Sequence, residues 1–312
     1  MDKKLIKIVY MGTPSISASV LERLINAGFN VIGVVAQKDK PVGKKGIIEP
    51  VPTKKVAIEH NIPVFQPEKI RSDYEFLKEI NPDVIITLAY GQIVPQAVLD
   101  IPRYGAINLH GSLLPKYRGA SPIQASLINN DEVTGVTLME MTKEMDAGRM
   151  YAKKEVIIEE DDNSTSLFNK ISIAAGDLIL ESLEDYIDGK LEGVSQDESQ
   201  VSFCHIIKPE QEKLSLDMNI KSIFGWIRAL SDEPGAYLLL NEEKFKIFKA
   251  KIISDEILGE VGEIVKADKN GLHLQCKDGI LSLLEVQKQG KKRMDYRSFV
   301  NGYPNLLHQL LK

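Results

Sequence analysis

"DVIITLAYG", residues 83–91, decides the fold. From Val84 to Leu88 the run is apolar at every position except Thr87, so it lacks the alternation of a half-exposed strand. It reads as a strand covered on both faces, the kind found in parallel sheets flanked by helices. Outward from it, "LIKIVYMG" (5–12) and "VIGVVAQ" (31–37) repeat the pattern. Between these two, "SISASVLERLINAG" (15–28) places Leu21, Leu24 and Ile25 at helical spacing, with Gly28 as a stop. "GAINLHG" (105–111) and "GVTLMEM" (135–141) are further strands. A long helix is expected from Ser164 to Asp188, with Leu167, Ile171, Ala174, Leu178 and Ile187 on one face, Ser164 or Thr165 as its cap and Gly189 at its end. The first two-thirds of the chain is therefore α/β, a doubly wound, mostly parallel sheet.

The texture changes after "GKLEGVSQDESQ" (189–200), a polar and acidic run suited to a linker. One helix and turn follow in "SIFGWIRALSDEPGAYL", then the short alternating runs "KFKIFKAKII", "GEIVKA", "GLHLQC" and "ILSLLEVQ". Asp278-Gly279, between the last two, is a type I′ hairpin signal. The expected organisation is a catalytic domain over 1–189, a linker over 190–206 and a small OB-like antiparallel barrel over 207–312.

With 312 residues, 43% hydrophobic and 27% charged, the chain has enough apolar material for two cores. No apolar stretch approaches the roughly 20 residues that span a bilayer, and Lys7 interrupts the N-terminal one, so a cytoplasmic protein is expected. Cys204 and Cys276 stand far apart, without partners at metal-ligand spacing. They read as free core thiols, with no disulfide and no metal site. A net charge of −5 argues against a wholly basic coat and leaves room for local basic patches.

In an open α/β sheet, ligands sit beyond the carboxyl ends of the strands. In "GAINLHGS", Asn108 and His110 are two apart and share one strand face. An amide N–H there can donate to a developing oxyanion while an imidazole manages protons. Asp146, in the loop "MTKEMDAGRM", supplies a carboxylate to orient the imidazole and favour its charged form. By spacing alone this set competes with ordinary turn chemistry. "MGTPSIS" has neither G-x-G-x-x-G nor the Walker pattern, and "HGSLL" is not G-x-S-x-G, which disfavours dinucleotide, P-loop and serine-hydrolase chemistry.

"MGTP", "AQKDKPVGKKG", "AYGQIVP", "NLHGSLLPKYRGASPIQ", "TGVTL", "MDAGRM" and "DGILSLLEVQKQGKK" occur in this order along the chain. Together they resemble the methionyl-tRNA formyltransferases, within the folate-dependent formyltransferase superfamily. The resemblance implies 10-formyltetrahydrofolate as donor, released as tetrahydrofolate, and initiator methionyl-tRNA as acceptor. It also implies a catalytic set of Asn108, His110 and Asp146. A folate-binding segment is implied at Ser112, Leu113, Leu114 and Pro115, and a pterin wall beginning at Leu88, Ala89, Tyr90 and Gly91. The insertion loop of Asp39 to Lys45 would approach the acceptor stem. Departures are Arg149 after the D-x-G, Met218 where a Trp is common, and "DEPGAY" without an aromatic residue before its Pro.

Lys38, Lys40, Lys44 and Lys45 crowd one Gly- and Pro-punctuated loop. Lys291, Lys292 and Arg293, with Lys288, crowd a second segment. Either is a solvated surface loop or a set of phosphate contacts to tRNA. The nearest rival is formylation of an amino sugar nucleotide, whose enzymes share "HGSLLPKYRG"; "MGTP" and the Lys-Gly loop favour tRNA. A monomer without membrane attachment is expected.

Overall fold

The structure, a computed structural model, describes residues 4–42 and 46–312. Lys44 and Lys45 of the insertion loop lie outside the described residues. The chain forms two compact units. The first comprises Met1–Pro122, Val133–Ile157 and Phe168–Cys204, and the second Ile123–Glu132, Ile158–Leu167 and His205–Lys312.

The strands of the first unit are β1 (Ile8–Gly12), β2 (Val31–Val35), the hairpin β3 (Lys40–Val42) and β4 (Ile47–Glu49), β5 (Val64–Phe65), β6 (Val84–Leu88), β7 (Ala106–His110), β8 (Arg118–Gly119), β9 (Val133–Glu140), β10 (Met150–Ile157) and β11 (Phe203–Cys204). Seven of them form one sheet in the order β10-β9-β7-β6-β1-β2-β5. Pairing is parallel from β7 through β5 and antiparallel for β7–β9 and β9–β10. Helices α1 (Ser15–Asn26), α2 (Pro52–Glu59), α3 (Glu75–Ile80) and α4 (Gln96–Leu99) connect the parallel strands. On β6, Val84, Ile85 and Ile86 are fully buried and Leu88 nearly so, each contributing roughly 1.5–3 kcal/mol of apolar burial before the cost of ordering the chain. Gly12 closes β1 because a Cβ there would meet Ser17 Oγ and the Leu88 carbonyl within 3 Å.

The sequence also contains α5 (Pro122–Ile128) and the long α6 (Ser164–Ile187). α6 is tied to α1 by Arg23, which donates to the Ile173 carbonyl (2.9 Å) and to Asp177 (2.5 Å). Its cap differs from expectation. Asn163 Oδ1 accepts from the Ser166 amide (3.0 Å) while Ser166 Oγ accepts from the Asn163 amide (2.9 Å), a reciprocal capping pair. Ser164 and Thr165 instead donate to the Ser231 carbonyl and to Asp232.

Within the linker expected over 190–206, residues up to Cys204 run with the first unit. Val194 exchanges two main-chain bonds with Met150 (2.8 and 2.9 Å), and β11 adds to β8 in parallel register, so this stretch is bound into the first unit.

The second unit is built on α7 (Ile220–Ala229) and the strands β12 (Ala236–Leu240), β13 (Glu243–Ser254), β14 (Ile264–Asp268), β15 (Gly271–Cys276), β16 (Gly279–Lys288) and β17 (Met294–Asp295), followed by α8 (Tyr296–Gly302). β12-β13-β16-β15-β14 pair in that order, all antiparallel. The C-terminal segment joins the two outer strands. Leu239 and Lys312 exchange bonds of 2.7 and 2.9 Å, and Leu311 donates to Gly262 while Ile264 donates to Gln309. The sheet thus closes on itself around Phe245, Ile247, Leu272, Leu274, Leu281 and Phe299. The β15–β16 hairpin forms where expected, with a different turn. Cys276 pairs with Gly279, so Lys277 and Asp278 make the loop, and neither has the positive φ that a type I′ turn requires. Gly279 is needed because a Cβ would lie 2.5 Å from the Ser254 carbonyl. Cys204 and Cys276 are buried free thiols, and burial pushes the Cys276 thiol up to about 12.

Candidate active site

β6, β7 and β9 bring the chemistry to the carboxyl edge of the parallel strands. Thr87 pairs in register with Asn108, and His110 with Thr137. Because side chains two apart share a face, Asn108 and His110 project together. Asn108 is partly accessible and His110 is buried, 5% exposed.

The His110 ring lies between two oxygens. Nε2 is 2.8 Å from the Tyr117 carbonyl, and Nδ1 is 3.6 Å from Asp146 Oδ2. The second distance is an ion-pair approach rather than a hydrogen bond. The same Asp146 oxygen accepts from the Gly119 amide at 2.8 Å. Gln196 Nε2 donates to the main-chain carbonyls of Asp146 (2.7 Å) and Gly148 (2.9 Å). Gln196 is held in turn by Arg118 Nε at 3.0 Å, and the Arg118 guanidinium pairs with Glu198 at 2.8 Å.

Two residues at this centre occupy left-handed backbone, Asp146 at φ +52° and Tyr117 at φ +60°. Side chains other than Gly adopt that region at a cost, and it persists where surrounding bonds over-determine it. Here the Tyr117 amide donates to Ser202 Oγ (3.0 Å), and its carbonyl receives both His110 and Cys204 Sγ.

Asn108 Oδ1 accepts from the Thr87 hydroxyl at 2.8 Å. Among the described residues, its Nδ2 is without a hydrogen-bond partner.

The expected folate segment follows β7 directly and is rigidly tied. Thr137 Oγ1 donates to the Ser112 carbonyl (2.7 Å) and accepts from the Leu114 amide (3.1 Å). Ser112 Oγ donates to the Lys116 carbonyl (2.6 Å), and Lys153 donates to the Leu114 carbonyl. Leu113 and Pro115 remain partly accessible while Ser112 and Leu114 are buried. Leu88 and Tyr90 are buried, and Ala89 and Gly91 exposed, where the chain turns off β6 with φ +50° at Ala89 and +88° at Gly91. The Tyr90 carbonyl accepts from Thr13 and Gln37. The turn off β6 thus presents an exposed main chain at Ala89 and Gly91, and the loop after β7 presents the partly open side chains of Leu113 and Pro115. The described residues contain no group of three His, Cys, Asp or Glu side chains arranged to hold a metal ion.

The expected tRNA contacts divide. Lys40 is exposed on β3, and Lys38 is exposed with Glu68 at 3.3 Å. Lys291 and Lys292 are exposed and form no ion pair among the described residues. Arg293 is committed internally, pairing with Asp232 and Glu285 at 2.5 Å each and lying over the Phe248 ring. The Arg293 and Thr165 bonds hold the Asp232 carboxyl below its usual range. Arg293→Ala should therefore cost about 1 kcal/mol of stability, the order for partly exposed ion pairs, while leaving the salt dependence of tRNA binding unchanged. Calorimetry and a salt titration on the same variant check this. Arg149 is exposed, and Met218 packs against the core of the second unit.

Sequence reasoning missed Thr87, Gln196 and the Tyr117 carbonyl. Thr87 carried a signal, as the one hydroxyl in an apolar run; a main-chain carbonyl carries none.

Both units of the chain match formyl transferase family models. The family model described as "Formyl transferase" matches residues 5–183, and that described as "Formyl transferase, C-terminal domain" matches 206–304. The methionyl-tRNA formyltransferase of Lactobacillus acidophilus is 46% identical over 298 residues, covering 95% of each chain, and that of Listeria innocua is 44% identical over 299 residues, again covering 95% of each. This chain belongs to the methionyl-tRNA formyltransferase family. Among solved structures, an N-formyltransferase from Helicobacter canadensis, in complex with folinic acid and dTDP-3-aminofucose, superposes with a TM-score of 0.68. It covers 91% of this chain and 99% of its own, at 22% identity, a likeness of fold alone.

Proposed function

We propose that Asn108, His110 and Asp146 are the groups through which this chain moves a formyl group from 10-formyltetrahydrofolate to the α-amino group of initiator methionyl-tRNA. One observation carries the assignment: the Asn108 amide has an uncommitted N–H donor two residues from an imidazole lying against the Asp146 carboxylate. A formyl group on an aryl amine nitrogen is an activated amide, so a neutral amine can attack it directly. As the new C–N bond forms, charge gathers on the formyl oxygen. Asn108 Nδ2 donates to that oxygen, with the His110 imidazolium beside it. Asp146 holds the ring, and the proton lost by the attacking amine passes to the departing folate nitrogen. Ser112–Pro115 and Leu88–Gly91 would bind the donor. No enzyme-bound covalent species is required.

The acceptor arm is positioned by Lys38, Lys40, Lys44 and Lys45, and in the second unit by Lys291 and Lys292. Replacing Lys44 and Lys45 with Ala should raise KM for charged tRNA and flatten the log–log salt dependence by roughly 1.4–1.8, two phosphate contacts at about 0.7–0.9 each. Folate binding should not change. An unchanged slope with an unchanged KM would reduce the loop to solvated surface. The enzyme acts in this account as a cytoplasmic monomer; among the described residues no helix is long and apolar enough to cross a membrane.

A further inference from the structure

We infer that Thr87 is a positioning residue for catalysis: its hydroxyl fixes which end of the Asn108 amide faces the reacting oxygen. The inference rests on the role proposed above for Asn108. Thr87 is the only hydroxyl residue in the β6 run Val84–Leu88 and is 2% exposed. A buried hydroxyl without a partner is costly, and in an apolar strand a Val of the same shape packs without that demand. The hydroxyl here has three acceptors within reach: Asn108 Oδ1 at 2.8 Å, the Met141 sulfur at 3.1 Å and the Ile107 carbonyl at 3.2 Å. It has one proton to give. A thioether is a weak acceptor, and the amide oxygen is the nearest of the three.

The consequence falls on the other end of the amide. An Asn side chain is close to symmetric in shape, and its two orientations present opposite chemistry to the site. With Oδ1 bonded to Thr87, Nδ2 faces outward as a donor, and it is the atom without a partner among the described residues. With the amide reversed, a carbonyl oxygen would face the developing negative charge and repel it. The register pairing of Thr87 with Asn108 puts the two side chains on adjacent strands at the same level, so the bond needs no loop to hold it. Preorganised donors of this kind avoid reorganisation at the moment of reaction.

The test uses Thr87→Val and Thr87→Ala, which both lack the hydroxyl, and Thr87→Ser, which keeps it, in the full-length enzyme. Far-UV circular dichroism and a thermal midpoint confirm folding of each. The hydroxyl-less variants should lose about 5- to 10-fold in kcat, the worth of one neutral hydrogen bond, with KM for charged tRNA and the folate dissociation constant unchanged. Thr87→Ser should stay within about twofold of the parent. On an Asn108→Ala background, Thr87→Val should cost nothing further, since the amide it orients is gone. The inference is overturned if either hydroxyl-less variant that folds keeps parental kcat, or if Thr87→Val costs the same factor with and without Asn108. Parental turnover of Asn108→Ala would overturn both readings, whereas a crippled Asn108→Ala beside an unaffected Thr87→Val overturns this one alone.

Discussion

Asn108→Ala should lower kcat about 100- to 1000-fold, the range found when a single oxyanion donor is removed, and should leave the folate dissociation constant near its parental value. The asymmetry follows from where the donor acts. Nδ2 has no hydrogen-bond partner among the described residues, and a neutral ground-state formyl oxygen would draw on it far less than a charged one. An interaction made chiefly in the transition state appears in kcat rather than in binding. Single-turnover kinetics with saturating donor separates the two. Near-parental turnover would remove Asn108 from the mechanism.

The second large effect is expected at His110 and Asp146. Each alanine variant should cost a factor comparable to Asn108→Ala, and the double variant should cost little more than either single one. They are expected to act as a unit: His110 Nδ1 and Asp146 Oδ2 are 3.6 Å apart, and among the described residues the ring's one hydrogen-bond partner is the Tyr117 carbonyl. Among the described residues, the ring without the carboxylate retains the Tyr117 carbonyl, and the Asp146 side chain without the ring retains the Gly119 amide. Groups acting as a unit are non-additive. Fully multiplicative losses in a double-mutant cycle would mean that the two work separately.

Strand periodicity made the sheet legible. The unbroken apolar run at β6 announced a strand buried on both faces, and the two-residue spacing of Asn108 and His110 put both on one face of β7. What stayed hidden depends on contacts that sequence separation obscures. Gln196 reaches the Asp146 carbonyl across 50 residues from a stretch whose polarity suggested a linker. The closing of the barrel by residues 308–312 leaves no local pattern, because it consists of main-chain bonds from a short segment to β12 and to the chain at β14. Basic clustering was a fair signal for Lys291 and Lys292, yet it could not show that Arg293 is matched by Asp232 and Glu285, which lie 61 and 8 residues away. The hairpin at Lys277-Asp278 makes a related point. Gly279 was visible, but its reason is the approach of the Ser254 carbonyl rather than the turn.

Formyl transfer to the charged tRNA, proposed here to run through the groups on β7 and in the loop of Asp146, can be read directly from the product. The purified protein, incubated with 10-formyltetrahydrofolate and methionyl-tRNA and then deacylated, should release formylmethionine, seen by mass as a formyl group on the amino acid. The same incubation with Asn108→Ala should release almost none over the same interval. Methionine left unmodified by the parent protein under saturating donor, or formylated equally by parent and variant, would contradict the account.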